Sequence, residues 1–250
     1  MAPITLEEMD SIKLMNRIDT KYVTNEATLE RVLEAAAAAG YRVLVSNGGR
    51  ISPYDSVYYD TASLTMFYLH HNRRLVRQKV RTRSYVASGD TFLEIKRKNN
   101  HGRTSKKRIG IPSANMMDFG AIPEAREYLA KHSWFQASEL SPSAQTAFSR
   151  ITLVNPALTE RLTIDTRLHF KNYRTGHATD LQDAVIIELK QDGRAVSQMK
   201  HILLDLRVKP LRVSKYCIAI TLTDSVAKTG RFKVKVRAIE KIIGNKLVTI

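Results

Sequence analysis

RRLVRQKVRTRSYV, residues 73–86, decides how the rest of the chain is read. In an extended strand, residues two apart share a face. Arg77, Lys79, Arg81 and Arg83 then stand on one face, and Val76, Gln78, Val80 and Thr82 on the other. Four neighbouring cations repel one another, which is costly unless solvent or an anion compensates. A solvated outer face of an antiparallel sheet accounts for one such strand.

The neighbouring stretches repeat the pattern. In 91–98, Glu94, Lys96 and Lys98 share a face opposite Leu93 and Ile95. In 104–110, Lys106 and Arg108 fall together. In 160–167, Arg161, Thr163 and Asp165 oppose Leu162 and Ile164. In 184–190, Glu188 and Lys190 oppose Val185, Ile187 and Leu189, and in 17–23, Arg17, Asp19 and Lys21 oppose Ile18 and Tyr22. If the apolar faces pack under helices, the charged faces must point somewhere common, and closing the sheet puts them inside a barrel. The expected fold is α+β: an antiparallel, eight-stranded β-tunnel or barrel with helices packed outside.

The remaining segments are read around that frame. A helix is expected over 5–16, capped at Thr5 with Glu7 and Glu8 in its first turn, and another over Glu26–Gly40, capped by Asn25. Strands are expected at 17–24, 41–46, 55–60, 73–86, 91–98, 103–111, 151–154, 160–170, 184–190 and 201–208. Residues 113–150 read as helical, as do Ser214–Val226 and a C-terminal tail over 227–250. No repeat or Pro/Gly linker interrupts the chain, so residues 1–250 are expected to form one domain.

The chain carries 40 Lys and Arg against 24 Asp and Glu, a net charge of +16, which calls for an acidic partner. Its single cysteine, Cys217, excludes an internal disulfide and suits a reducing compartment, hence a cytoplasmic location. No apolar leader or membrane-length apolar run is visible. No phosphate-binding loop, dinucleotide fingerprint or zinc spacing is present, and RNA-recognition aromatics and a GXXG loop are missing, so no specific nucleic acid is expected.

Arg and Lys around an enclosed space suit phosphate oxygens, Arg offering paired donors. Glu94 and Glu188 lie on the charged faces and either hold a divalent cation, Mg²⁺ or Mn²⁺, or pair with a neighbouring Lys or Arg. Tyr58, Tyr59 and Tyr85 either stack on a base or pack on the sheet. Trp134 reads as packing, and His70 and His71 as exposed loop residues. The basic tail over 231–241 reads as a solvated helix face, with contact to anionic lipid or another subunit as the alternative.

Seven segments occur in a telling order: RIDTKY (17–22), VYYDT (57–61), KVRTRSY (79–85), FLEIKRK (92–98), ERLTIDT (160–166), IELK (187–190) and VSKY (213–216). Together they resemble the catalytic domain of the vacuolar transporter chaperone (VTC) family, in the triphosphate tunnel (CYTH-like) superfamily, over residues 14 to 222. The resemblance implies an eight-stranded tunnel, a divalent metal, and transfer of the γ-phosphate of ATP to a growing polyphosphate chain. Lys21, Arg81, Arg83, Lys96 and Arg161 resemble the family's catalytic phosphate binders. Arg17, Arg77, Lys79, Lys98, Arg108 and Lys190 are expected to bind substrate beside them. Lys106 or Lys107 resembles a further phosphate binder, and alternation with Arg108 favours Lys106. Arg212, Ser214 and Lys215 match a late Lys/Arg-x-Ser-Lys element, Arg174 falls near another basic position, and Glu188 resembles the metal-binding carboxylate, with Glu94 as a second.

Hydrolytic relatives carry Glu-x-Glu-x-Lys in the first strand, where this chain has Arg17-x-Asp19-x-Lys21, which resembles the polymerase branch. The phosphate-sensing domain and membrane helices of fungal members have no counterpart, which resembles a stand-alone prokaryotic domain, with a membrane protein as a conceivable partner. Two alternatives stand beside synthesis: metal-dependent hydrolysis of triphosphate or polyphosphate in the same tunnel, and polyanion binding without turnover.

Overall fold

The computed structural model describes residues 1–10, 17–193 and 196–248. In chain order its elements are β1 (Pro3–Ile4), α1 (Leu6–Asp10), β2 (Arg17–Asn25), α2 (Glu26–Ala38), β3 (Arg42–Leu44), β4 (Ser52–Asp60), α3 (Thr65–His71), β5 (Arg77–Tyr85), β6 (Asp90–Lys98) and β7 (Thr104–Ile111). There follow α4 (Pro123–His132), β8 (Ser141–Val154), β9 (Glu160–Asn172), β10 (Ala178–Asp180), β11 (Ala184–Asp192), α5 (Gln198–Asp205), α6 (Lys215–Thr223) and α7 (Gly230–Ile243). Residues 11–16 of the expected first helix and the Arg17 side chain lie outside the described residues.

Eight strands form one antiparallel path in the order β2–β11–β9–β8–β4–β5–β6–β7, with β3 on β8, β10 on β9 and β1 parallel to β3. Among the described residues β2 and β7 do not hydrogen-bond to each other, so the wall curls without closing its ladder. The register carries the cationic faces across neighbours. Arg81 pairs with Glu94, and Glu94 with Arg108; Lys79 pairs with Lys96, and Lys96 with Lys106. On the other flank, Glu188 stands between Lys21 and Thr163, and Lys190 between Asp19 and Arg161.

The apolar faces are covered as the alternation requires. Val80, Leu93, Ile95, Val57 and Tyr59 pack under Ala125 and Leu129 of α4 and under Phe119. Leu162, Ile164, Val185, Ile187 and Leu189 pack under α2 and α5. α2 forms where its cap and stripe predict: Asn25 Oδ1 accepts from Thr28 N at 2.9 Å, and Leu29 and Val32 are buried. Gly40 follows with φ +76°, the left-handed stop. At Thr5 the cap is reciprocal, Thr5 N donating to Glu8 and Glu8 N to Thr5 Oγ1.

α6 lies on the concave side. Every residue from Tyr216 to Thr223 is buried, which matches a sequence, YCIAITLT, with no polar stripe. It packs against Tyr58, Phe148, Phe170 and Ile186 from the strands and against α3 and α7. One end of the concave face is therefore apolar and filled by α6, and the other end is charged.

Three expectations are corrected. Residues 113–150 are not one helical region: α4 is its only α-helix, and β8 begins at Ser141. The small residues of SPSAQTAF carry little alternating signal, and a register shift between Ala147 and Ser149 breaks it further. Residues 201–208 are not a strand, because α5 occupies Gln198–Asp205; short apolar runs do not distinguish the two by period, and the Ser197 cap on Lys200 N is the decisive local signal. His70 and His71 are not exposed loop residues but lie half-buried in the last turn of α3, which follows the left-handed Leu64 (φ 56°); the buried Asp60 carboxylate accepts from Met66 N and Phe67 N at 2.9 Å each.

Candidate functional site

Three carboxylates organise the charged end, and each lies between two cations. Arg81 (β5) donates from Nε at 2.8 Å and Nη2 at 2.5 Å to Glu94 Oε2, while Lys106 (β7) donates to Oε1 at 3.0 Å. Glu94 is wholly buried. Burial pushes its carboxyl up, but Arg81, Arg83 and Lys106 outweigh that and hold it well below the usual range. Asp165 (β9) accepts from Arg150 Nε and Nη2 (β8) at 2.6 and 2.9 Å and from Lys215 at the start of α6. Glu188 (β11) accepts from Lys21 (β2) at 2.5 Å and from Lys190.

Arg83 and Lys96 have no carboxylate salt bridge among the described residues, and burial also acts on Lys215. Arg83 is buried, donates to Ser56 Oγ at 2.9 Å, and lies 5.4 and 5.6 Å from the Tyr54 and Phe148 ring centres. Burial, then repulsion from Arg81 and Arg150, brings its guanidinium down to about 10. Lys96 is pressed far below the usual lysine range by Arg81, by burial and by Arg83, with Glu94 and Glu188 opposing. Lys215 is brought down to about 8 by burial, with Asp165 opposing. Burial raises the Tyr58 phenol, but Arg81, Arg83, Lys79 and Lys215 overcome it and bring it to about 8; its hydroxyl accepts from Arg81 at 3.0 Å.

These influences cross the space between the strands. Lys96 on β6 feels Glu188 on β11, Arg150 on β8 feels Glu188, and Lys215 feels Lys21 on β2. The polar faces therefore converge although β2 and β7 do not pair. Ser214 caps α6, its Oγ accepting from Cys217 N and, at 2.7 Å, from Lys79. The positive end of the α6 dipole thus joins the cations.

Other expected residues sit around this centre. At its rim Lys98 stands in register with Arg77 and is repelled by both Arg77 and Arg212, and Arg212 is exposed, its carbonyl accepting from Lys235. Arg108 is exposed with its guanidinium 4.5 Å from the Phe92 ring centre, and Arg161 shares the lining face beside Lys190. Lys107 pairs with outward-facing Ile95, which puts it opposite Lys106. Arg174 is bound at the surface to the Ala62 carbonyl, at 2.6 Å. Sequence reasoning missed Arg150, because it ends the stretch read as helix, and assigned no role to Asp165, its partner.

The VTC domain profile matches residues 16–223, most of the chain. The chain belongs to the VTC domain family. This VTC domain is similar in fold to a candidate adenylate cyclase from Bacillus halodurans, with a TM-score of 0.54 at 14% identity, covering 80% of this chain and 96% of that one. It is also similar to a candidate adenylyl cyclase from Hippeastrum with a dominant triphosphatase activity (TM-score 0.49, 14% identity, 88% and 96% covered). A third likeness is to a protein of Pyrococcus horikoshii (TM-score 0.45, 12% identity, 82% and 97% covered). At these identities the likeness is one of fold alone. Among curated proteins, none matches the VTC domain by sequence.

The lining also bears on a metal. Among the described residues no three His, Cys, Asp or Glu side chains come together. Glu94 is closed off by Arg81 and Lys106, whereas Glu188 keeps 23% of its side chain exposed. Both Glu188 oxygens are also held, by Lys21 and Lys190, so of the two carboxylates only the part-exposed Glu188 could take up a hard divalent ion, by giving up a lysine contact. Among the described residues of the VTC domain no helix is long and apolar enough to cross a membrane.

Proposed function

We propose that this protein is a polyphosphate polymerase, which moves the γ-phosphoryl group of ATP onto the end of an inorganic polyphosphate chain. The observation that carries this reading is the convergence of Lys21, Arg81, Arg83, Lys96, Arg150 and Lys215, from five elements, on one space where they outnumber their carboxylates. Phosphoryl transfer needs chiefly positioning and charge neutralisation, and fixed donors provide both without reorganising.

Arg83 and Lys96, which no carboxylate holds by a salt bridge among the described residues, are the strongest candidates to grip the equatorial oxygens of the transferred group. Lys215, Ser214 and the α6 N-terminus meet the chain from the apolar end, while Lys21 and Lys190 stand at Glu188. The bond from the γ-phosphorus to its bridging oxygen breaks as ADP leaves, and a terminal phosphate oxygen of the chain forms the new one. That acceptor is already an anion near neutral pH, so no general base is needed. Glu188 would hold Mg²⁺ or Mn²⁺ together with phosphate oxygens, and the ion would add charge neutralisation at the bridging oxygens.

Incubation with ATP and Mn²⁺, followed by gel electrophoresis, tests the reading. A ladder of growing chains is expected. Release of free phosphate alone would replace synthesis with hydrolysis, and tight polyphosphate binding without turnover would leave a binding module.

A further inference from the structure

A second feature lies just outside the channel. A cleft of about 570 Å³ opens where β6 turns into β7, and its walls include Val76, Arg97, Lys98, Asn100, Arg103 and Trp134. Trp134 is 41% exposed and Val76 46%, so an aromatic and an aliphatic surface both face the opening. The Trp134 segment is pinned: its backbone N donates to Gln78 Oε1 at 3.2 Å, and Gln78 Nε2 donates to Ser133 Oγ. Gln78 is itself buried on β5, so the backbone that carries the indole is anchored to the sheet. The Arg97 guanidinium lies 5.3 Å from the indole centre. Lys98 belongs both to this cleft and, through Arg77 and Arg212, to the rim of the channel.

We propose that this cleft is a nucleobase site, which holds the base and ribose of the nucleotide while its phosphates pass over Lys98 into the channel. The indole offers a stacking face, Arg97 adds a cation over it, and the Asn100 amide offers a donor and an acceptor to a base edge. The volume suits one nucleoside. One aromatic ring fits one base, whereas a single-stranded nucleic acid track needs a succession of them. The orientation rests on the reading of the channel as a triphosphate site; the cleft itself does not.

Trp134 is the only tryptophan of the chain, so its fluorescence reports the cleft directly. ATP is expected to quench it, and tripolyphosphate, which has no base, is expected to leave it unchanged. Trp134→Leu is expected to weaken ATP binding roughly tenfold, the worth of one stacked base, with tripolyphosphate binding by calorimetry unaltered. Equal quenching by ATP and tripolyphosphate, or undiminished ATP affinity in the variant, would overturn the site. Far tighter quenching by an oligoadenylate than by ATP would replace a mononucleotide with a nucleic-acid strand. Tripolyphosphate that fails to bind while ATP still quenches would defeat the channel reading and leave the cleft standing.

Discussion

Arg81 donates twice to a single oxygen of Glu94, from Nε at 2.8 Å and Nη2 at 2.5 Å, and leaves the other oxygen to Lys106 at 3.0 Å. Glu94 is thus an electrostatic anchor of the channel wall. Removing one partner of a buried pair strands the other charge, at a cost of about 3–5 kcal/mol. Glu94→Ala should lose stability on that scale in denaturant unfolding and recover part of it with tripolyphosphate, whose charge substitutes for the carboxylate. A loss under about 1 kcal/mol would contradict the anchor role.

Arg83 is buried with no carboxylate bonded to it among the described residues, an arrangement that favours anion binding over folding. Arg83→Met should therefore hold or raise stability by about 1 kcal/mol. The same change should lower turnover by about 10²-fold, by analogy with the loss of one oxyanion donor. Thermal unfolding and steady-state kinetics on one preparation check both halves, and near-normal turnover would remove Arg83 from the site.

Glu188 lies between Lys21 and Lys190 and keeps part of its surface open. Glu188→Ala should abolish the response of turnover to added Mn²⁺ or Mg²⁺. Metal-free tripolyphosphate binding should persist or tighten, because a negative charge has left a cationic lining. Calorimetry with a chelator present separates the two effects.

Lys215 has its pKa brought down from 10.5 to about 8, chiefly by burial. Between those values the unfolded chain holds a proton that the folded chain lacks, so this group's unfavourable contribution diminishes as pH rises through that window. An incoming polyanion favours the charged amine and pulls the proton back. Tripolyphosphate binding near pH 8 should therefore take up protons, seen as a dependence of the calorimetric heat on buffer ionisation enthalpy, and affinity should fall as pH rises further. Lys96, lowered by Arg81 and by burial, adds to the same trend.

Much of the wall was legible because a period of two is local. The alternations in RQKVRTR, FLEIKRK and VIIELK reappear as the inner and outer faces of β5, β6 and β11, and Asn25 caps α2 where its type and position predict. The alternation also selects Lys106 over Lys107 for the lining face. Less legible was β8, whose alanines and serines carry no contrast between faces, so Arg150 went unnoticed. The Glu94 and Glu188 alternatives, metal or ion pair, differ by which cations stand nearby, and that is set by register between strands far apart in sequence.

The sequence by itself determined that cations fall on one face of several strands and that the chain is strongly basic, since side-chain spacing and net charge are properties of the chain alone. Only the tertiary structure decided which cations share a carboxylate, as Arg150 and Lys215 share Asp165, and which are left to a ligand, as Arg83 is. It also placed α6 on the concave face, where its apolar body fills one end and Ser214 and Lys215 at its start meet the strands' charges. The physical reason is that electrostatic pairing acts over a few ångströms between elements whose proximity is created by folding, and no local pattern encodes it.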